Sequence, residues 1–137
     1  MEVVGGVIVI PVGSFQKFLA VVSGCRGYFL DRLSLERIDN VDALEIGLRW
    51  GPEKPDMTLA FRDVYFSVIE WTPGPGTAPL DQVAATLLEP SDSPWPEGLA
   101  PQLVRSSSLP MLVWFRTEGP VHISVLAAIA SVSLEVM

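Results

Sequence analysis

The sequence predicts an α+β fold that consists mainly of an antiparallel β-sheet of about six to seven strands. Two observations carry this prediction. Several runs of alternating apolar and polar residues are separated by turn residues, which is typical of antiparallel strands, and one segment near the N-terminus has helical spacing. The length of 137 residues fits a single domain spanning 1–137, and the hydrophobic fraction of 49% excludes intrinsic disorder.

The N-terminal segment predicts one buried strand followed by one short helix. Residues 3–10 are largely β-branched, which favours a strand covered on both faces, and Gly5-Gly6 predicts a bulge or the close approach of another backbone. Ser14 is a suitable N-cap and Gly24 a suitable stop, so we expect a helix of about ten residues between them. Its apolar residues recur at helical spacing, at Phe15, Phe18, Leu19 and Val22.

Residues 28–71 predict a meander of two to four antiparallel strands. The clearest strand has a fully apolar face, formed by Leu44, Ile46, Leu48 and Trp50, whereas Glu45, Gly47 and Arg49 form its other face. Asp39-Asn40 and residues 51–56 predict turns before and after this strand. The next strand is expected from 57 to 71, with a bulge at Arg62-Asp63.

Residues 80–88 fit two kinds of element. Pro79 suits the first turn of a helix, and a helix is the preferred prediction, with a strand as the alternative. The residues that would form the apolar stripe of the helix are Leu80, Val83, Ala84, Leu87 and Leu88. Residues 72–76 before it and 89–101 after it are rich in proline, so both are expected to be loops.

The C-terminal part predicts a further hairpin and a last strand. Strands are expected at 111–116 and 121–126, joined by a turn at 118–120, and Ala127-Ala128 predicts a break before a strand at 131–136. Residues 111–115 are apolar on both faces, so this strand is expected to be central in the sheet or to lie at an interface. A twofold homodimer through the C-terminal hairpin is therefore predicted.

The sequence contains few residues suited to catalysis or metal binding. The single cysteine excludes an internal disulfide. Because there is also only one histidine in the sequence, we do not expect a structural zinc site. Cys25 is predicted to be a small apolar filler after the helix, where the helix dipole disfavours a thiolate. His122 alternates with Val121 and Ile123, which places it on the outer face of a strand. We therefore expect no catalytic residue, no cofactor and no metal site.

The charge distribution gives the strongest functional prediction. The net charge of −7 disfavours binding to nucleic acid or to an anionic membrane surface. Residues 63–104 contain no Lys or Arg but several acids and two tryptophans, which suits binding to a basic protein partner. The alternative is a solvated acidic surface with both tryptophans in the core. The predicted partner-binding residues are Glu70, Trp71, Asp81, Glu89, Asp92, Trp95 and Glu97.

Two sequence features predict the cellular compartment. The apolar run at 121–134 is bounded by Pro120 and Glu135 and is too short to span a membrane. Glu2 stands where a signal peptide would carry positive charge. The sequence therefore predicts a cytoplasmic protein.

Two stretches carry a resemblance to a known group of proteins. The alternating strands at 43–71, and the tail at 111–136 with Glu118-Gly119 at its turn, resemble small bacterial α+β immunity-type proteins of toxin systems. The resemblance implies that the chain neutralises a co-encoded toxin by binding it, and it carries over no site residue. Two alternatives stay open: an assembly subunit that self-associates through the C-terminal hairpin, and a small enzyme or small-molecule binder.

Overall fold

The computed structural model describes residues 2–4, 7–11, 15–38, 41–51, 53–71, 79–99, 102–119 and 121–135. The described part contains one helix and eight strands. Their bounds are β1 Glu2–Val4, β2 Val7–Pro11, α1 Phe15–Ser23, β3 Phe29–Ile38, β4 Val41–Arg49, β5 Met57–Trp71, β6 Gln82–Leu88, β7 Leu112–Glu118 and β8 Val121–Glu135.

A long antiparallel pair, β5 with β8, forms the centre of the sheet. Each of these strands is 15 residues long, and their pairing runs from Met57–Leu134 to Trp71–Val121. The strand order along the main path is β1-β2-β8-β5-β4-β3, and every pairing is antiparallel. The other edge of β8 is shared, because β7 pairs with residues 123–127 and β2 with residues 131–135. The predicted α+β class and antiparallel sheet are confirmed.

The N-terminal helix is confirmed, but the strand before it is two strands. Residues 2–4 pair antiparallel with residues 7–9, so the β-branched segment folds back on itself instead of continuing as one strand. The predicted bulge at Gly5-Gly6 and the N-cap Ser14 lie outside the described residues. In α1, Phe18 and Val22 are both buried, as the helical spacing predicts.

The meander of β3, β4 and β5 follows the predicted alternation. Leu44, Ile46 and Leu48 are at most 1% exposed and lie in the main hydrophobic cluster. The irregularity predicted in β5 is present slightly further along the strand: Asp63 has a φ of 55°, and the register to β8 shifts between Val64 and Phe66. The shift leaves Tyr65 as an extra residue in β5. Tyr65 and Phe66 therefore both lie on the outer face of the sheet, which is the face opposite α1.

The helix preferred for residues 80–88 is wrong, because this segment forms strand β6. Its seven residues pair one by one with β7, from Gln82–Glu118 to Leu88–Leu112. Val83, Ala85 and Leu87 face the main cluster, which is an alternation of period two and not the helical stripe. Pairing with a long neighbouring strand therefore decides a segment whose spacing fits both elements.

The break predicted at Ala127-Ala128 is also wrong, since β8 continues through both residues. Ala127 is fully buried in the main cluster and pairs with Val113 and Val64 on either side. Ala128 packs against the cluster on the opposite face. Small side chains are accommodated here because both faces of the sheet are covered at this point.

The described residues form two hydrophobic clusters, one on each face of the sheet. The main cluster lies on the inner face under α1 and includes Phe18, Phe61 and Phe115, all fully buried. The second cluster lies on the outer face and consists of Leu88, Leu99, Leu112, Trp114 and Leu126, with Tyr65, Phe66, Trp95 and Ala128 packed against it. Leu112 and Trp114 face one cluster while Val113 and Phe115 face the other, so β7 is central in the sheet.

Candidate functional site

The acidic side chains predicted to bind a partner are exposed. Glu70 lies on β5, and Asp81 and Glu89 lie immediately before and after β6. Asp92 and Glu97 follow in the segment that leads to β7. All five carboxylates face solvent, as expected for charged residues without a buried partner.

The structure divides these acids into two groups. Asp81 and Glu89 stand at opposite ends of the seven-residue strand β6, a separation of about 25 Å along the strand. Glu89, Asp92 and Glu97 belong to one segment, residues 89–99, which we name the acidic loop. Glu70 and Asp81 lie at the opposite end of β6 from the acidic loop, near the turn between β7 and β8. The sequence window is therefore two patches and not one continuous surface.

The acidic loop is held in place by a basic residue that follows it in sequence. The guanidinium of Arg105 donates hydrogen bonds to the carbonyl oxygens of Pro94 and Glu89, both at 3.1 Å. It also lies 5.4 Å from the centre of the Trp95 ring, within cation–π range. Asp92 Oδ1 accepts a hydrogen bond of 2.9 Å from the backbone N–H of Ser107. These contacts tie the loop to the segment that returns to β7.

The side chain of Trp95 packs beneath the acidic loop and helps to fix its conformation. Its indole Nε1 donates a 2.8 Å hydrogen bond to the carbonyl of Leu103, and its ring packs against the second cluster. It is half-buried, and Leu99 in the same loop is 4% exposed. Trp95 is thus part of the packing that covers the outer face. The backbone of Trp71 pairs with Val121 at the end of β5, and its side chain lies outside the described residues.

The ion pairs of the described residues lie elsewhere. On β3 and β4 each of three arginines has a carboxylate neighbour: Arg32 with Glu45 at 3.1 Å, Arg37 with Asp42 at 3.0 Å, and Arg49 with Asp31 at 3.8 Å. In the described part of the chain, no carboxylate oxygen of the acidic loop lies within 4.0 Å of a Lys or Arg nitrogen. The three carboxylates of the acidic loop therefore form no ion pair there, and the nearby Arg105 binds backbone carbonyls instead.

A polar row on the outer face was not predicted from the sequence. Its centre is His122, whose Nδ1 lies 3.1 Å from the Glu118 carboxylate across the turn between β7 and β8. Glu70 is the direct cross-strand neighbour of His122 on β5. The four-residue spacing of Glu118 and His122 around a predicted turn is the signal that could have found this contact. His122 lies on the outer face, as predicted.

Cys25 is a buried packing residue. It is fully buried in the main cluster, with its Sγ 3.3 Å from the Sδ of Met57. Burial raises the pKa of its thiol to about 12, so the side chain is protonated at neutral pH. A protonated, enclosed thiol is a poor nucleophile, and the structure provides no support for nucleophilic chemistry at this position.

Two observations on the described residues concern metal and small-ligand binding. They contain no group of three or more His, Cys, Asp or Glu side chains that could hold a metal ion. A depression beside Ser34, Glu45 and Arg62 has a volume of about 30 Å³, far below the several hundred Å³ of a ligand pocket. No helix in the described segments is long and apolar enough to cross a membrane. No protein-family model, curated protein or solved structure matches the chain.

Proposed function

We propose that the chain is a non-enzymatic protein-binding domain whose acidic region, 63–104, engages a basic protein partner. The observation that supports this proposal is the contrast in charge pairing. The arginines of β3 and β4 each have a carboxylate neighbour, whereas the side-chain carboxylates of Glu89, Asp92 and Glu97 in the acidic loop form no ion pair with a described Lys or Arg. An exposed acidic surface whose carboxylates form no ion pairs attracts a basic partner and steers its approach.

The anchoring of the acidic loop adds to this. Ordering a mobile loop on binding costs free energy, and that cost falls when the loop is already fixed in the free protein. Arg105 and Trp95 fix it here through hydrogen bonds to the carbonyls of Glu89, Pro94 and Leu103. The carboxylates therefore stand on a surface whose shape is set before the partner arrives.

An immunity-type inhibitor is the specific form of this proposal. Such a protein binds a co-encoded toxin, and the exposed acids Glu70, Asp81, Glu89, Asp92 and Glu97 would meet basic residues on it. Trp71 and Trp95 complete the proposed set, one in each patch, and Trp95 contributes through the shape that it gives to the acidic loop. A cytoplasmic location is part of the proposal and agrees with a single unpaired cysteine.

The experiment is a binding titration by calorimetry against the purified product of the adjacent gene. We compare Glu89→Gln/Glu97→Gln, which removes two charges from the acidic loop, with Glu53→Gln/Asp56→Asn, which removes two exposed charges outside region 63–104. The first pair should raise Kd roughly tenfold at low salt, mainly by slowing association, and the control pair should change it little. Since all four side chains are exposed, both variants are expected to fold normally.

Three results would count against the proposal. The first is absence of binding by the unchanged protein, together with no protection of cells that express the neighbouring gene. The second is an equal loss in both pairs of variants, which would indicate a general effect of net charge. The third is an affinity that does not depend on salt, because contacts between exposed charges weaken as ionic strength rises.

Self-assembly is the second candidate function, and one observation favours it. The apolar side chains of β7 lie in the two hydrophobic clusters, where they have partners within the chain. The edge strand β3, in contrast, pairs with no described strand other than β4. The edge of β3 is therefore one of the strand edges at which a second copy can pair, beside those of β1 and β6.

A further inference from the structure

Among the described strands, β3 pairs only with β4, which leaves its other edge without a described partner strand. The strand is ten residues long, contains no Lys or Pro, and has one irregularity, between Leu30 and Arg32. From Arg32 to Ile38 its register with β4 is uninterrupted. Natural edges are usually protected by short length, charged side chains, Pro, bulges or a covering element. The edge of β3 carries four charged side chains, Asp31, Arg32, Glu36 and Arg37, so the strand that it can accept is one whose charges complement them.

The charges of β3 form a self-complementary order. The segment from 31 to 37 reads Asp-Arg-Leu-Ser-Leu-Glu-Arg, with Ser34 at its centre. When the strand meets a second copy of itself antiparallel about Ser34, Arg32 stands opposite Glu36 of the other copy. Twofold symmetry repeats the same contact on the other side of the axis. Directly opposed residues have Cβ atoms about 5 Å apart, close enough for an ion pair.

Other alignments lack this match. Each face of one sheet must continue into the same face of the second copy. The alignment of the two strands can therefore shift only by steps that keep every side chain on its own face. Moving the centre to Leu33 places Arg32 opposite a second Ser34, and moving it to Leu35 places Glu36 opposite Ser34. A parallel pairing brings like charges together. The alignment on Ser34 is therefore the one among these that opposes unlike charges.

The side chains of β3 are placed to make these contacts. Ser34 and Glu36 line the same outer-face depression, and Arg32 reaches Glu45 on that face. Glu36 is exposed and has no ion-pair partner among the described residues. Leu35 is 60% exposed, and in this alignment Leu33 of the second copy stands opposite it. One alignment thus supplies a partner for an unpaired charge and a cover for an exposed leucine.

We propose that the chain forms a twofold dimer in which β3 pairs antiparallel with β3 of a second copy, centred on Ser34. The two sheets then continue across the dimer, and Arg32–Glu36 pairs on both sides of the axis fix the alignment. This surface is separate from region 63–104, so the dimer leaves the acidic loop free. Loss of the dimer and loss of partner binding are for that reason distinguishable.

The test is sedimentation velocity on the full chain at up to about 200 µM, with exchanged charges. Glu36→Arg opposes two arginines at each pair and Arg32→Glu opposes two glutamates, so each variant alone should weaken the dimer roughly tenfold or more. An equimolar mixture of the two variants restores unlike charges at both positions. The mixture is therefore expected to form a heterodimer, which a misfolded variant could not do. Glu53→Arg, an exposed site outside β3, is the control and should leave the dimer unchanged.

Each of three outcomes would overturn the proposal. A monomer at about 200 µM for the unchanged protein removes the dimer itself at any useful affinity. A dimer that keeps its affinity in both single variants must use another surface. Two weakened variants that stay monomeric when mixed would show that the charges do not meet across the axis.

Discussion

The β3–β4 pair and the region of the acidic loop beside β6 and β7, which we call the two ends of the sheet, differ in the groups that their arginines bind. On β3 and β4, Arg37 and Asp42 are direct cross-strand neighbours with a 3.0 Å contact, and Arg32 reaches diagonally to Glu45. Along the acidic loop, Arg105 is the nearby arginine, and its guanidinium binds the carbonyls of Pro94 and Glu89, not a carboxylate. Pairing of strands brings opposite charges together at one end, whereas at the other end the cation is used for backbone anchoring.

The outer face of the two ends also differs. Beside β6 and β7 the acidic loop covers the second cluster, where Trp114 is 5% exposed and Leu126 is fully buried. Beside β3 and β4 the outer face carries small and charged residues, among them Ser34, Glu36 and Ala43, and its described residues form only a shallow depression. The covered end depends on burial for its stability, and the open end has surface available for another molecule.

The largest expected effect on stability comes from replacing one tryptophan at each end with alanine. Trp114→Ala should lower the free energy of unfolding by about 3–5 kcal/mol, because it leaves a cavity in the second cluster and removes the partner of Ser124 Oγ, 2.9 Å from the indole Nε1. Trp50→Ala, just after β4, removes a half-buried ring that packs against the main cluster and should cost less. Urea unfolding measures both.

The comparison between the ends fails if the two tryptophan variants lose equal stability or if Trp50→Ala loses more. Trp50 makes contacts of its own, since Tyr28 lies 5.3 Å away between ring centres and the Lys54 Nζ lies 3.7 Å above its ring. These contacts are partly exposed to water, where a cation–π contact contributes on the order of 0.5–1 kcal/mol. The deeper burial of Trp114 is therefore the reason for the expected order.

The sequence was sufficient for those parts of the fold that depend on local spacing. The helix α1 and the buried face of β4, with Leu44, Ile46 and Leu48, follow directly from their periodicity. The segment 80–88 was not predictable in this way, because Leu80, Val83 and Leu87 fit a helix as well as a strand. Its pairing with β7 depends on residues about thirty positions away, which local spacing does not contain.

The candidate site was predictable in composition but not in arrangement. Absence of Lys and Arg from 63–104 located the exposed acids, and these acids are indeed exposed. The division into two patches at opposite ends of β6 depends on that segment being a strand. The role of Arg105 was also hidden, since it lies just outside the window and binds carbonyl groups, which leave no charge pattern in the sequence.

A second prediction concerns the anchoring of the acidic loop. Arg105→Ala removes two hydrogen bonds to carbonyl groups and the contact with the Trp95 ring, and should lower the free energy of unfolding by about 1 kcal/mol. It should also speed cleavage by thermolysin within residues 89–99, because a loosened loop opens locally. The control is Arg62→Ala, an exposed arginine without an ion pair among the described residues. Equal cleavage of the two variants would argue that Arg105 does not fix the loop.

The smallest expected effect concerns the charges themselves. A double-mutant cycle on Arg37→Ala and Asp42→Ala should give a coupling free energy of about 0.2–1 kcal/mol, since both side chains are partly exposed. Raising the salt concentration to about 1 M should reduce this coupling, because exposed charges are screened. Glu97→Gln, in contrast, removes no ion pair and should leave stability unchanged or slightly increased through weaker repulsion within the acidic loop. A loss of stability in Glu97→Gln that disappears at high salt would show that this carboxylate does meet a cation, and the acidic loop would then resemble the β3–β4 end after all.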